Sequence, residues 1–300
     1  MCYNSDMGKI SNSISLTKSS FRVLRQDKEL VGINFFGGLG VIVLWILGAL
    51  SIWLLGGIEF IDTAAGSDVQ LNALGYIGFL LLLLGTTFAR HFIEAMIAAA
   101  VLFRFRGGDP TVSTAFAAAR GRVWPIMMFS MVSVTIGLIL SAIEERLGVV
   151  GTIIANVLNI AWAIASAFAI INIVDAPEPI GPFKAVKRSG GVIKKTWGEN
   201  VILNLGLGIA FFLGFLAYSI PSVLLTVAAA SVSGTLAFIV GALLIIGLLV
   251  LLIATSVLGA IVKAAVYFYA IEGTTPAQFD ADLIANAIKP KKKLTDKVFG

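Results

Sequence analysis

Six apolar runs dominate the chain, and short polar stretches separate them. A bilayer core about 30 Å thick needs about 20 apolar helical residues to cross it. The runs predict spans at Ile33–Gly57, from Gly75 to Phe103, at Val123–Ile143, at Val149–Val174, from Val201 to about Thr226, and from Thr235 to about Tyr269. The second and sixth exceed a simple span. At 1.5 Å per residue they measure roughly 43 and 52 Å. Arg104 and Arg106 close the second. Its last turns are therefore expected to project into water rather than be absorbed by tilt. Pro221 is expected to kink or end the fifth span.

The polar stretches also repeat. Ile10, Ile14, Thr17, Phe21 and Leu24 form one stripe at helical spacing, flanked by lysines and arginines. A second such segment starts at Asp109-Pro110 and ends at Trp124, and a third starts at Gly181-Pro182 and ends at Trp197. In the last two, proline sits where a helix would begin. Tryptophan sits where the next span would enter the membrane interface. The expected architecture is an all-α integral membrane protein with six transmembrane helices in three pseudo-repeats. Each repeat is an in-plane amphipathic helix followed by a helical hairpin. The repeats cover 9–108, 109–180 and 181–276, with a basic tail over 277–300. A fourth in-plane helix is expected at Ala277–Ile288. Such helices either wedge into one leaflet or act as elbows that set the entry angle of each hairpin. An organelle transit peptide does not explain them, because the N-terminal pattern recurs inside the chain.

Composition narrows the function classes. The chain is 58% hydrophobic and 13% charged, with a mean hydropathy of +0.96. Soluble domains are about 45–50% apolar and about 25% charged. A soluble enzyme, a nucleic-acid partner and a disordered chain are thereby excluded. Cys2 is the one cysteine and His91 the one histidine. No disulfide or multi-histidine metal site is expected, and no cofactor. Residues 1–30 hold no continuous apolar core, so the first run is expected to act as an uncleaved anchor.

The placement of charge predicts orientation. Lys9, Lys18, Arg22, Arg25 and Lys28 precede span one. Arg104, Arg106, Arg120 and Arg122 follow span two. Lys184, Lys187, Arg188, Lys194 and Lys195 follow span four, and five lysines from Lys289 to Lys297 fill the tail. The alternate loops carry Glu59, Asp62, Asp68, Glu144 and Glu145, with Arg146 their single base. Both termini are expected on the cytoplasmic side of the plasma membrane.

Some polar residues fall inside the runs. Arg90, His91 and Glu94 cluster in span two, and Lys263 lies in span six. Arg90 and Glu94 are spaced i, i+4, and His91 and Glu94 i, i+3. These groups read either as a proton or ion relay or as a neutralised packing contact. Aligning Gly108 with Gly273 places Lys263 one turn from Glu94, so an approach of the two is expected; alternatively Lys263 snorkels to the headgroups. Thr152, Asn156, Asn159, Ala163 and Ser166 form a polar stripe in span four. Span three offers Ser133, Gly137 and Ser141, and span five Asn200, Asn204 and Gly208. These read as helix-packing contacts or as the lining of a polar conduit. No span holds an aspartate, and His91 has no serine within one turn, so no catalytic pair is expected.

Four segments carry a resemblance. They are Arg25-Gln26-Asp27-Lys28-Glu29-Leu30; Gly108-Asp109-Pro110-Thr111; Lys187-Arg188-Ser189 with Lys194-Lys195-Thr196-Trp197-Gly198-Glu199; and Tyr267-Phe268-Tyr269-Ala270 running to Pro276 and Phe279-Asp280. With these the chain resembles a prokaryotic family of six-pass integral membrane proteins classed as a domain of unknown function. The layout of hairpins and elbows is also similar to the membrane domain of some glycerophosphodiester phosphodiesterases, although no catalytic domain accompanies it here. The resemblance implies the six-pass architecture and no activity.

The expected function is non-enzymatic. The basic segments would organise anionic lipid headgroups or partner membrane proteins at the cytoplasmic face. Lys18, Arg22, Arg25, Arg120, Arg122, Lys187, Arg188, Lys194 and Lys195 are the candidate contacts. The alternative is a small-solute or ion transporter using Arg90, Glu94 and Lys263 around a polar cavity.

Overall fold

A computed structural model describes Ser20 and residues 22–63, 66–196 and 199–279, with backbone only within 60–69 and 199–211. Most of the N-terminal stripe, Lys18, Trp197, and the closing in-plane helix and basic tail beyond Phe279 lie outside the described residues. The side chains of Asn200 and Asn204 do as well.

The order of elements is α1 (Glu29–Leu54), β1 (Ile58–Thr63), β2 (Gly66–Leu71), α2 (Ala73–Phe105), α3 (Val112–Arg120), α4 (Val123–Ser166), α5 (Ala169–Asp175), α6 (Pro182–Thr196), α7 (Glu199–Ala230) and α8 (Gly234–Glu272). Among the described residues, five helical stretches are long and apolar enough to cross a membrane: Glu29–Leu54, Ala73–Phe105, Val123–Asp175, Phe212–Ala230 and Gly234–Glu272. None of the most apolar window of α1 is buried. Its Phe36, Ile46 and Leu54 face outward, which in water would be prohibitive and in lipid costs nothing.

α1 ends at Leu54, short of the expected Gly57, and the following loop is not irregular. β1 and β2 pair antiparallel in the register Ile58↔Leu71 to Thr63↔Gly66. The alternation in IEFIDT and GSDVQL is the signal for this hairpin; the acidic residues obscured it by reading as a plain solvent loop. Its base is tight. Asn72 Nδ2 donates to the Gly56 carbonyl at 2.8 Å and to Glu59 Oε1 at 3.0 Å. A Cβ on Gly75 would lie 2.1 Å from the Gly57 carbonyl oxygen, so only glycine admits this approach.

α4 is helical by hydrogen bonding along its length but not straight. Gly148 breaks it with φ 56° and ψ −134°. Phe129 and Trp162 stack with centroids 6.2 Å apart; a straight helix would separate them by roughly 50 Å. Thr152 Oγ1 donates to Glu144 Oε1 at 3.2 Å. The two arms therefore fold back on one another at Gly148. Gly151 makes the reversal possible, because a Cβ there would lie 2.4 Å from the Ile143 carbonyl oxygen.

Other expectations need correction. The second in-plane segment is not one helix from Pro110 to Trp124. Thr111 caps α3 through a reciprocal pair with Thr114, so Pro110 lies outside the helix. α3 ends at Arg120, and Trp124 already belongs to α4. The third segment does begin with proline, at Pro182 of α6. Pro221 does not end α7, which continues to Ala230. One missing N–H removes a single rung, and the helix resumes beyond it.

The chain divides into two compact units. One holds residues 1–31, 101–109 and 191–300; the other holds 32–100 and 110–190. In the first, Val257, Ile261, Ala264 and Phe268 of α8 are buried. Tyr218 of α7 donates to the Leu244 carbonyl of α8 at 2.8 Å, tying that hairpin. In the second, the buried set includes Ala95, Ile126, Phe129, Phe168 and Ile173.

Candidate functional site

The strongest polar centre of the first unit was not anticipated. Asp27 is 1% exposed and receives two bonds from Arg104, one from Nε to Oδ2 at 2.7 Å. Arg104 also pairs with Asp109. Asp27 lies between the helical residues 22–26 and the start of α1, where its carbonyl accepts the Leu30 N–H at 3.1 Å. In the same unit Arg106 pairs with Glu272 at 3.0 Å. Lys195 donates to the Ala270 carbonyl at 3.1 Å. Phe105 meets Phe268 and Phe279 edge-on. Pieces of all four segments that carried the resemblance thus meet around the end of α2. The missed signal was an aspartate flanked by Arg25 and Lys28, which reads as ordinary solvated charge.

In the second unit, Arg90, His91 and Glu94 do not present one surface. Arg90 is exposed, Glu94 half-buried and His91 buried. Spacing along one helix fixes adjacency but not which neighbour covers each residue. His91 Nδ1 lies 2.9 Å from Ser130 Oγ. The serine that local spacing denied is supplied from 39 residues away. Ser130 Oγ donates to the Ile126 carbonyl at 2.8 Å, which leaves its lone pairs to accept from His91 N–H. A hydroxyl committed in this way and fully buried is a packing group rather than an activated nucleophile. His91 also lies against Phe129, 4.9 Å between centroids, and Phe129 stacks on Trp162. Lys263 belongs to the other unit.

α6 separates its residues by face. Ala185, Ser189, Val192 and Thr196, at helical spacing, are buried. Ser189 Oγ accepts the Phe168 N–H at 3.0 Å, a donor freed where α4 gives way to α5. Thr196 Oγ1 returns to the Val192 carbonyl at 2.9 Å. Lys184, Lys187, Arg188, Lys194 and Lys195 are exposed. Of these, Lys184, Lys187, Arg188 and Lys194 make no hydrogen bond or ion pair among the described residues. Phe183, beside them, is 79% exposed.

A cleft of about 560 Å³ lies where α3 turns into α4, closed by the linker that enters α6. Trp124 and Arg120 stand at its rim; Pro125, Met128 and Ile180 give it an apolar floor. Arg122 holds its walls together by donating to the Ala176 and Pro177 carbonyls. Arg122 is therefore an internal clamp and not an open lipid contact. Arg120 has no partner among the described residues. Arg22 and Arg25 are exposed as well. Among the described residues no three His, Cys, Asp or Glu side chains converge as metal ligands.

No curated protein matches the chain. A family model does, over residues 73–277, from the start of α2 to just past α8. The apolar helices identify a membrane protein, and the extent of the match places this chain in the family of unknown function DUF6159.

Proposed function

We propose that this is a six-span membrane protein, with both termini cytoplasmic, that gathers anionic phospholipid at the cytoplasmic ends of its spans. The arm of α4 before Gly148 is roughly 37 Å long and the arm after it, over residues 149–166, roughly 27 Å, with α5 extending it to Asp175; each then suffices for a bilayer core of about 30 Å, and the reversal at Gly148 makes them two spans. The excess of lysine and arginine on one set of loops orients them. No chemical step belongs to this function.

The observation that carries it is the division of α6. One face is used up inside the protein. The other offers four cations without a partner among the described residues, and an exposed phenylalanine. Arg104 and Arg106 show that this chain pairs its structural arginines. Cations left open beside an aromatic side chain suit a headgroup layer, where each contributes about 1 kcal/mol against anionic lipid. The cleft continues the same chemistry: Arg120 would take a phosphate, and Pro125, Met128 and Ile180 the first methylenes of an acyl chain. Membrane-protein partners at the same face would meet the same cations.

The test is lipid selectivity at the protein surface. The full chain is reconstituted in nanodiscs of phosphatidylcholine with spin-labelled phosphatidylglycerol, and the immobilised lipid fraction is read by electron spin resonance. Enrichment of phosphatidylglycerol is expected, with its loss on replacing Lys184, Lys187, Arg188 and Lys194 by serine. Equal immobilisation of both lipids by the unmodified protein would sink the proposal.

A further inference from the structure

The apolar helices hold many hydroxyl side chains, and most of the described ones are satisfied by their own helix. Thr86, Thr87, Thr135, Ser166, Ser222 and Thr226 each donate to the carbonyl four residues back, at 2.7–2.9 Å. A carboxamide has two donors and an acceptor, so one bond to its own helix leaves the rest of the group unsatisfied. Asn172 makes that one bond, donating to the Phe168 carbonyl four residues back at 2.8 Å, and the remainder of its side chain is buried inside the protein.

Asn156 and Asn159 are different. They sit three residues apart on one face of the second arm of α4, both exposed, with no partner among the described residues. Counting from Gly148, they lie roughly 12 and 17 Å along the arm, near the middle of the bilayer if that arm spans it. Ile153, Val157, Ile160 and Ile164 around them are exposed and apolar, as lipid contact requires. Hydrocarbon offers no hydrogen bond, so two bare carboxamides at this depth are unfavourable until another helix covers them.

We infer that this face, Asn156, Asn159 and Ala163, is the contact between two copies of the chain. A second copy is the occupant because a carboxamide is self-complementary. Under two-fold symmetry the donor of each copy meets the acceptor of the other, and the same patch serves both sides. No charge lies on the stripe that would call for an opposite charge on a different partner. Ala163 completes the face with a small side chain, which lets two backbones approach. The inference rests on the second arm of α4 being a span in its own right.

The test is oxidative cross-linking of the full chain in native membranes, in a Cys2→Ser background. Ala163→Cys places a thiol on the stripe and keeps both asparagines; Val157→Cys places one on the neighbouring lipid face. Ala163→Cys is expected to give a disulfide-linked dimer and Val157→Cys none. Adding Asn156→Leu and Asn159→Leu to Ala163→Cys is expected to cut the cross-link at least tenfold, while light scattering in mild detergent shifts from dimer to monomer. If both thiols react with an aqueous maleimide, the arm is not in the membrane and the span assignment fails. If both are shielded but Ala163→Cys stays monomeric, or cross-links to another protein, the dimer itself is refuted.

Discussion

Asp27 and Arg104, 77 residues apart, form an ion pair in which the carboxylate is almost wholly withdrawn from solvent and the guanidinium is 20% exposed. Removing either partner is unequal in effect. Arg104→Met strands a buried carboxylate, which costs about 3–5 kcal/mol. Asp27→Asn leaves Arg104 with Asp109 and some water, and should cost less. Asp109, being 87% exposed, should matter by under about 1 kcal/mol when changed to asparagine. Thermal unfolding of the three detergent-solubilised variants should rank Arg104→Met lowest and Asp109→Asn nearest the parent.

The reversal in α4 gives a second expectation. Gly151→Val would drive side-chain atoms into the Ile143 carbonyl, whereas a side chain at Gly137 meets open space. Gly151→Val should lower the melting temperature and weaken a cross-link between cysteines placed at Phe129 and Trp162. Gly137→Val should leave both near the parental values. Equal behaviour of the two variants would contradict the tight hairpin.

For His91 and Ser130 the expectation concerns coupling. Ser130→Ala leaves a buried imidazole nitrogen without its partner and should cost about 1–3 kcal/mol. His91→Phe keeps the stack on Phe129. The double change removes both polar groups and should cost less than the sum of the single ones. Strict additivity in a double-mutant cycle would show that the pair makes no bond in the membrane.

Ser189→Ala isolates the buried face of α6. The Phe168 N–H loses its acceptor in a dry site, at about 1–3 kcal/mol, while the exposed cations are untouched. Stability should fall and selectivity for phosphatidylglycerol should persist. Loss of both together would mean that lipid binding depends on the docking of α6 rather than on its charges.

The apolar runs made the helices legible, because hydropathy is a property of each segment on its own. The same runs placed the reversal between Ile143 and Val149, and Gly148 lies inside that interval. β1 and β2 escaped, since two six-residue strands carry a faint period beside helices of more than 25 residues. The polar centres were the least visible. Asp27 with Arg104, and His91 with Ser130, are each joined by tertiary packing across dozens of residues, which no local spacing encodes. The basic residues divided in the same way. Exposure of Lys187 and Arg188 follows from their place on α6, but only the three-dimensional contacts take Arg122 out of the open set.

The partners around the end of α2 also differ in birth order. Asp27 leaves the ribosome long before Arg104 exists to receive it. Arg106, Phe105 and Lys195 must wait until α8 delivers Glu272, Phe268 and the Ala270 carbonyl. The end of α2 is therefore incomplete until α8 is made, and α8 closes it. A nascent chain that stops before Glu272 would lack the carboxylate that pairs with Arg106 and the Phe268 ring that meets Phe105.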